Sequence, residues 1–412
     1  MPKIRVKRSI DTDSENEPIG KKNFKPDLEQ KVTLPDEVWL KIMSYIKTKD
    51  LYHNVALVCK RFHNLSEDGD AVKFLKVTNI SNNKLFRKVQ QILKQSKSLK
   101  GLKIDIDSTL DKNKKIQKEF LNKLCVQALT TNGNLKLLSI KQFGYKNATL
   151  FTETLDCLIQ HGKELQHYEL AFLKQIPFAH VKNLKKLKSL RIRRVNFADF
   201  DPNDLVSLAK NCTNLEVMKI DIDSITVSNL LNVSSALRSA FDVFFMERQL
   251  TLKSFTDTTD LYTTMLTNLS LCQNLEEFEC KRRIVFLDDL KTIYALPNLK
   301  KLVFDGVYLK DPNCTFLEKL KKKNLECLII RKCKGFDSSF FTNMLNLCFP
   351  KLKTLFIHFT KENFDPLDQT FVFDTLRKRL TETIPTLKSI ELEVTMEDLN
   401  FPNEFDLRWM SD

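Results

Sequence analysis

The chain has 412 residues, 42% of them hydrophobic, and a net charge of +14 set by 66 basic against 52 acidic side chains. That is enough apolar material for a large core in more than one unit, which excludes a wholly disordered chain, and the interspersed acids leave only a weak bias towards acidic partners. No Gly pair has the spacing of a phosphate cradle, no apolar run is long enough to span a bilayer, and the ten cysteines form no CxxC pair, so they read as reduced, buried thiols of the cytoplasm or nucleus.

Residues 1–31 mix KIRVKR, DTDSENE and GKKNFKP with almost no apolar periodicity, and are expected to be a disordered tail. Lys7 and Arg8, followed after twelve residues by Lys21 and Lys22, have the form of a bipartite nuclear import signal. The first predicted helix is Leu34 to Ile46, LPDEVWLKIMSYI: Pro35 presets the first turn, and Asp36 and Glu37 sit at the positive end of the dipole. Val38, Ile42 and Ile46 recur four apart, while Trp39 and Met43 form a second row about 100° around the helix. One apolar face packs its own domain and the other requires a partner. After KTKD, Leu51, Val55, Val58, Phe62 and Leu65 repeat at helical steps until Ser66 to Gly69, which gives a trio of helices. A unit of roughly forty residues buries too little apolar surface to stand alone.

Leu34, Pro35, Glu37, Ile42, Ile46, the Asp50–Leu51 pair and VCKRF at Val58 to Phe62 stand in the order and spacing of the F-box, which this segment resembles. Ile46 replaces the more usual leucine, and Val72 stands where a tryptophan is common. The resemblance implies docking on a Skp-type adaptor, and through it on a cullin, by Leu34, Pro35, Val38, Ile42, Ile46, Leu51, Val58 and Phe62. It also supplies the partner that the two-sided helix requires.

The remainder of the chain repeats. NLKLLSI at Asn134, KLKSLRI at Lys186, NLEVMKI at Asn214, NLEEFEC at Asn274, NLKKLVF at Asn298, NLECLII at Asn324 and KLKTLFI at Lys351 share one skeleton. Weaker copies begin at Ser98, Glu164 and Thr386, and LKSF at Leu252 halves the one wide gap. The leucines at 275, 299, 325 and 352 lie 24, 26 and 27 residues apart, within the leucine-rich-repeat period. Each unit pairs a short strand with an amphipathic segment such as Phe336 to Cys348. The expected fold is α/β: a three-helix F-box at 32–70, then a curved leucine-rich-repeat solenoid at 71–397 with parallel strands on the concave face and helices on the convex face. A capping segment is expected at 398–412. Leu325 to Leu352 resembles the cysteine-containing repeat subtype, which implies that Cys333 and Cys348, with Cys212 and Cys272, are small buried thiols in loops.

No HExxH or GxSxG occurs, and the six histidines never pair at ligand spacing, so neither catalytic residues nor a metal or other cofactor is expected. Function is therefore sought on the repeat surface. The strand period of two turns Leu190 and Ile192 inwards and Arg191 and Arg193 outwards, within a span, Val181 to Val195, of seven basic residues and no acidic one. In later repeats Val303, Ile329 and Phe356 are expected to stack about 5 Å apart as an apolar stripe beside Arg331 and His358. Two alternatives stay open: the basic span is a solvated loop, and the stripe is covered by Glu397 to Asp412. Two functional classes follow. One is a non-catalytic receptor that presents a protein target for ubiquitin transfer, as the resemblance to F-box and leucine-rich-repeat proteins of SCF-type ubiquitin ligases implies. The other is a scaffold for acidic, phosphorylated or nucleic-acid ligands, although the basic span lacks the interleaved aromatics that single strands need, which makes nucleic acid the weaker version.

Overall fold

The computed structural model describes residues 34–46, 54–68, 71–78, 83–96, 98–107, 114–143, 152–171, 178–196, 201–223, 230–257, 267–281, 284–310, 319–320, 324–333, 349–360, 378–384 and 386–395. The N-terminal tail, Leu51, the segment Phe336 to Cys348 and the proposed capping segment lie outside these residues.

The first helix, α1 (Asp36–Met43), is entered from Pro35, whose extended ψ of 154° places it one position ahead of the first turn. Its carbonyl accepts from the N–H groups of Val38 and Trp39 at 3.1 and 3.2 Å. The helix stops three residues before the expected Ile46. There the Ser44 hydroxyl donates to the Lys41 carbonyl at 2.7 Å, a local bond that competes with continued helix. A short 3-10 turn, Val55–Leu57, and a helix, Lys60–Glu67, complete the described part of the expected trio.

Among the described residues, twelve strands then pair in parallel in strict chain order, and two short strands pair apart. They are β1 (Phe74–Thr78), β2 (Gly101–Asp107), β3 (Leu137–Phe143), β4 (His167–Ala171), β5 (Ser189–Asn196), β6 (Val217–Asp223), β7 (Ser254–Asp257), β8 (Glu277–Lys281), β10 (Lys301–Asp305), β12 (Cys327–Arg331), β13 (Thr354–Thr360) and β14 (Ser389–Thr395). The two others, β9 (Ile284–Phe286) and β11 (Tyr308–Lys310), form their own parallel pair. Helices such as Lys114–Thr131, Pro202–Asn211 and Leu230–Arg248 separate the strands, so each repeat returns to the sheet edge where the previous one left it. Every expected repeat carries a strand, including the degenerate copy at Leu252. One repeat went unread: Val72 to Thr78, VKFLKVT, begins the sheet as β1.

Register follows the leucines. Leu75, Leu102, Leu138, Tyr168, Leu190, Met218, Phe255, Phe278, Leu302, Leu328 and Leu355 stand opposite one another from strand to strand. All are buried, so a slip in any one repeat exposes side chains worth about 1.5–3 kcal/mol apiece. Met43, Leu65 and Val72 belong to the same continuous core as Leu75. The helical unit that is too small to stand alone is thus supported by the first repeat, and Val72, in place of the usual tryptophan, is itself buried. Gly101 is dictated by its neighbour: a Cβ there would lie 2.5 Å from Cδ1 of Phe74.

Cys212, Cys272 and Cys333 are buried loop thiols, whereas Cys59 is exposed and Cys327 half-buried, against the expectation of uniformly buried thiols. The Cys212 Sγ donates to the carbonyls of Leu184 and Val181 in the preceding repeat at 3.5 and 3.7 Å, and that of Cys272 reaches the Phe245 carbonyl at 3.9 Å. Burial pushes the thiols of Cys212, Cys272 and Cys333 up to about 12, which keeps them protonated.

Candidate functional site

Two surfaces qualify. The first is the outer side of the helical unit. Met43 is buried at 1% exposure and Trp39 lies against Phe62 with ring centroids 4.6 Å apart, so this row of α1 is the inward one. Val38 and Ile42, on the other row, are each 40% exposed, and Leu57 and Val58 rise to 77% and 67%. The two halves of the unit are fastened by Arg61, whose Nε donates to the Asp36 carboxylate at 2.8 Å and whose Nη2 donates to the Leu34 carbonyl at 2.7 Å. Leu34 and Phe62 are half-buried and Pro35 is exposed. Ile46 and Phe62 are exceptions among the predicted apolar residues: with the helix ended at Met43, Ile46 leaves the Val38–Ile42 row, and both side chains pack on the core.

The second surface is the concave face of the sheet. Its middle row runs, strand by strand, Lys76, Lys103, Ser139, Glu169, Arg191, Lys219, Thr256, Glu279, Val303, Ile329, Phe356 and Glu391. Val303, Ile329 and Phe356 are direct neighbours in this row, as strand alternation predicts. They are less open than expected, however. Val303 is buried at 4% exposure because the ladder places Glu279 on one side and Ile329 on the other, while Ile329 and Phe356 are half-buried. The Arg331 guanidinium lies 5.0 Å from the Phe356 ring centroid, a cation–π contact, and His358 flanks the ring from the same strand. A shallow cavity of about 90 Å³ opens here among Lys219, Thr256, Glu279, Val303, Ile329 and Arg331.

The basic span is corrected by its lateral neighbours. Glu169 of β4 stands opposite Arg191 and lies 3.6 Å from Arg193 and 3.4 Å from Lys141, and it accepts from the Ser139 hydroxyl at 3.0 Å. Burial alone would raise its pKa, but the Ser139 hydrogen bond and the Lys141 and Arg193 charges outweigh it and hold the carboxyl below its ordinary value. Arg193 therefore has a counter-charge that the primary sequence conceals. Arg191 forms no ion pair among the described residues and faces Lys219 across the ladder. Burial, with the nearby Arg191 and Lys301 charges, lowers the Lys219 pKa against the pull of Glu279 and Glu277. Glu279 is held low in turn, because the bonds from Lys281 at 3.0 Å and Thr256 at 3.1 Å overcome its burial.

The predicted site residues thus fall into separate places. The helical set occupies one end of the chain, while Arg191 and Arg193 lie four strand steps, about 19 Å, from Val303. Glu169, Lys219, Glu279 and the exposed Leu57 were not anticipated. Aligning the repeats on their first leucine puts Glu169 beside Arg191 and would have found the first three. Nothing in the local pattern of Leu57 separates it from a core leucine. Among the described residues, no group of three or more His, Cys, Asp or Glu side chains has a metal-binding arrangement. No described helix is long and apolar enough to cross a membrane.

Residues 32–72 match the family model described as F-box-like. Similar solved structures include an internalin (inlF) from Listeria monocytogenes, 15% identical over 82% of this chain and 88% of that one with a TM-score of 0.40. Another is the leucine-rich-repeat-containing protein LegL7 from Legionella pneumophila, 16% identical over 68% of this chain and 87% of that one with a TM-score of 0.33. No curated protein matches the chain. The matched segment and the twelve-strand repeat array together define the class: an F-box-like domain followed by a leucine-rich-repeat solenoid.

Proposed function

We propose that the protein is the substrate-recognition subunit of an SCF-type ubiquitin ligase. The F-box docks on a Skp-type adaptor, and through it on a cullin, while the concave face of the solenoid holds a protein target. The observation that supports this best is the division of the helical unit. Its Met43 face merges with the solenoid core, whereas Val38, Ile42, Leu57 and Val58 remain outside as an apolar face that nothing in the described chain covers. The receptor is not itself catalytic. Holding a target lysine close to a ubiquitin donor carried elsewhere in the complex raises its effective concentration, and proximity supplies the rate. Marking the target for proteasomal degradation, in the cytoplasm or nucleus, is the output of this reading. Arg191, Arg193, Arg331, His358 and the Val303–Ile329–Phe356 row are the proposed target contacts, with Arg191 and Arg331, which form no ion pair among the described residues, the guanidiniums proposed for an acidic or phosphorylated group. Affinity purification from cells with the proteasome blocked tests both halves. Wild type is expected to bring down the adaptor and a ubiquitinated target, Arg191→Glu the adaptor without the target, and recovery of a target without any adaptor would refute the ligase reading.

A further inference from the structure

One residue ahead of each strand, a second row runs along the edge of the sheet, tied by backbone hydrogen bonds in which each N–H donates to the carbonyl of the preceding repeat's residue at 2.7–2.9 Å. Its members are Lys73, Lys100, Lys136, Gln166, Lys188, Glu216, Lys253, Glu276, Lys300, Glu326, Lys353 and Lys388. From Glu216 to Lys353 the charges alternate and pair, Lys253 with Glu216 at 3.1 Å, Lys300 with Glu276 at 2.9 Å and Lys353 with Glu326 at 2.6 Å, and Lys388 follows at the end of the row. These contacts raise the Lys300 pKa, chiefly through its bond to Glu276, and lower that of Glu326, chiefly through its bond from Lys353. The first half of the row is built differently. Lys73, Lys100 and Lys136 have no carboxylate in the row beside them, Lys188 borders only Glu216, which is paired with Lys253, and none of the four forms an ion pair among the described residues.

Like charges on adjacent strands repel, so the second half is arranged to stabilise the repeats and the first half is not. The same backbone position in the same solenoid serves as an internal control. What distinguishes the halves is the missing acid, and an acid from outside would complete the pattern. Lys100, Lys136 and Lys188 are exposed, and Lys103 stands exposed on the concave side of the same repeat as Lys100. The row begins at the F-box, where the Lys73 ammonium lies 5.0 Å from the centroid of the Tyr45 ring.

We infer that the edge from Lys73 to Lys188 is a docking surface for an acidic polypeptide segment, distinct from the concave target surface proposed above. Four strand steps span about 19 Å, the length of about six extended residues. The ligand is taken to be peptide because, beyond Tyr45 and Phe74 at the Lys73 end, the row from Lys100 to Lys188 offers no aromatic platform for stacking successive bases. It is taken not to be a lipid surface because the exposed Tyr45 and Phe74 lie only at the Lys73 end, and no exposed apolar side chain lies between Lys100 and Lys188 in the row to enter one.

The test uses the full-length protein and a fluorescently labelled octaglutamate peptide, with anisotropy measured at low and at physiological salt. Wild type is expected to bind with an affinity that falls steeply with salt, and Lys100→Glu/Lys136→Glu/Lys188→Glu to lose at least tenfold. The triple glutamine variant is expected to lose less, in the same direction. Lys253→Glu/Lys300→Glu/Lys353→Glu changes net charge equally and should leave peptide binding within threefold of wild type. An equal loss in both glutamate variants overturns the proposal, because attraction would then follow net charge and not this edge. Oligouridine RNA or phosphatidylserine vesicles bound more tightly than the peptide, and released by the first variant alone, would overturn the peptide assignment. Adaptor binding is measured on the same samples and should be unchanged, so a failure here is separable from failure of the ligase reading.

Discussion

Ile42→Asp probes the proposed adaptor face most directly. Ile42 is 40% exposed, and complete burial of such a side chain is worth about 1.5–3 kcal/mol, so covering the remaining two fifths contributes about 0.6–1.2 kcal/mol to the complex. Aspartate forfeits that contribution and leaves a desolvated carboxylate at the contact, which costs at least a further 1–3 kcal/mol, or about that order, when no partner compensates it. The sum, about 1.6–4.2 kcal/mol, predicts a loss of adaptor affinity of about fifteenfold to a thousandfold. In the uncomplexed chain the same carboxylate stays hydrated, so the fold should lose under about 1.5 kcal/mol. Met43→Asp is the contrasting variant. Met43 is 1% exposed in the shared core, and a charge there should unfold the helical unit. Titration calorimetry against a Skp-type adaptor, with circular dichroism of each variant, separates binding from folding. An Ile42→Asp protein with native helicity and an adaptor affinity within threefold of wild type would refute the assignment of this face.

Phe356→Ala should cost about 1–2 kcal/mol of stability, less than a fully buried phenylalanine because the ring is half-buried under Arg331, and should weaken target capture at least about tenfold if the row is a contact. Denaturant melts and pull-downs on the same protein check both, and unchanged capture would remove Phe356 from the proposed contacts. Glu169 and Glu279 are held below the ordinary carboxylate value in the fold, so each contributes stability that is present above the unfolded value and lost as pH falls through the folded one. Urea midpoints should therefore fall below about pH 5, and the gap between wild type and Glu169→Gln/Glu279→Gln should narrow as they do; a gap independent of pH contradicts the network. Gly101→Ala should destabilise the first repeats by about 1 kcal/mol, since its Cβ meets the Phe74 ring at 2.5 Å, and Phe74→Ala in the same chain should recover most of that loss in thermal melts.

The leucine skeleton, read as sequence, determined the repeat architecture, because a core shared between neighbouring units forces one apolar pattern to recur at the strand of each. It located every strand of the long sheet but the first, where Val72 replaces the leading leucine of the other copies, and missed the two three-residue strands of the side sheet, which are too short to show a period. The F-box motif was legible for the same reason: many apolar positions fixed at helical spacing. What only the tertiary structure decided is which of two apolar rows faces outwards and which charges remain uncompensated. Val38 and Trp39 have the same kind of sequence context, and it is Phe62 against Trp39, with Met43 sealed into the solenoid core, that leaves Val38 and Ile42 outside. The span around Arg193 contains no acid along the chain, yet Glu169, 24 residues earlier, lies one strand away. Charges act through space over a few ångströms, and in a parallel solenoid the nearest side chain belongs to the neighbouring repeat, so the electrostatic surface is written in the register between repeats and not in any one of them.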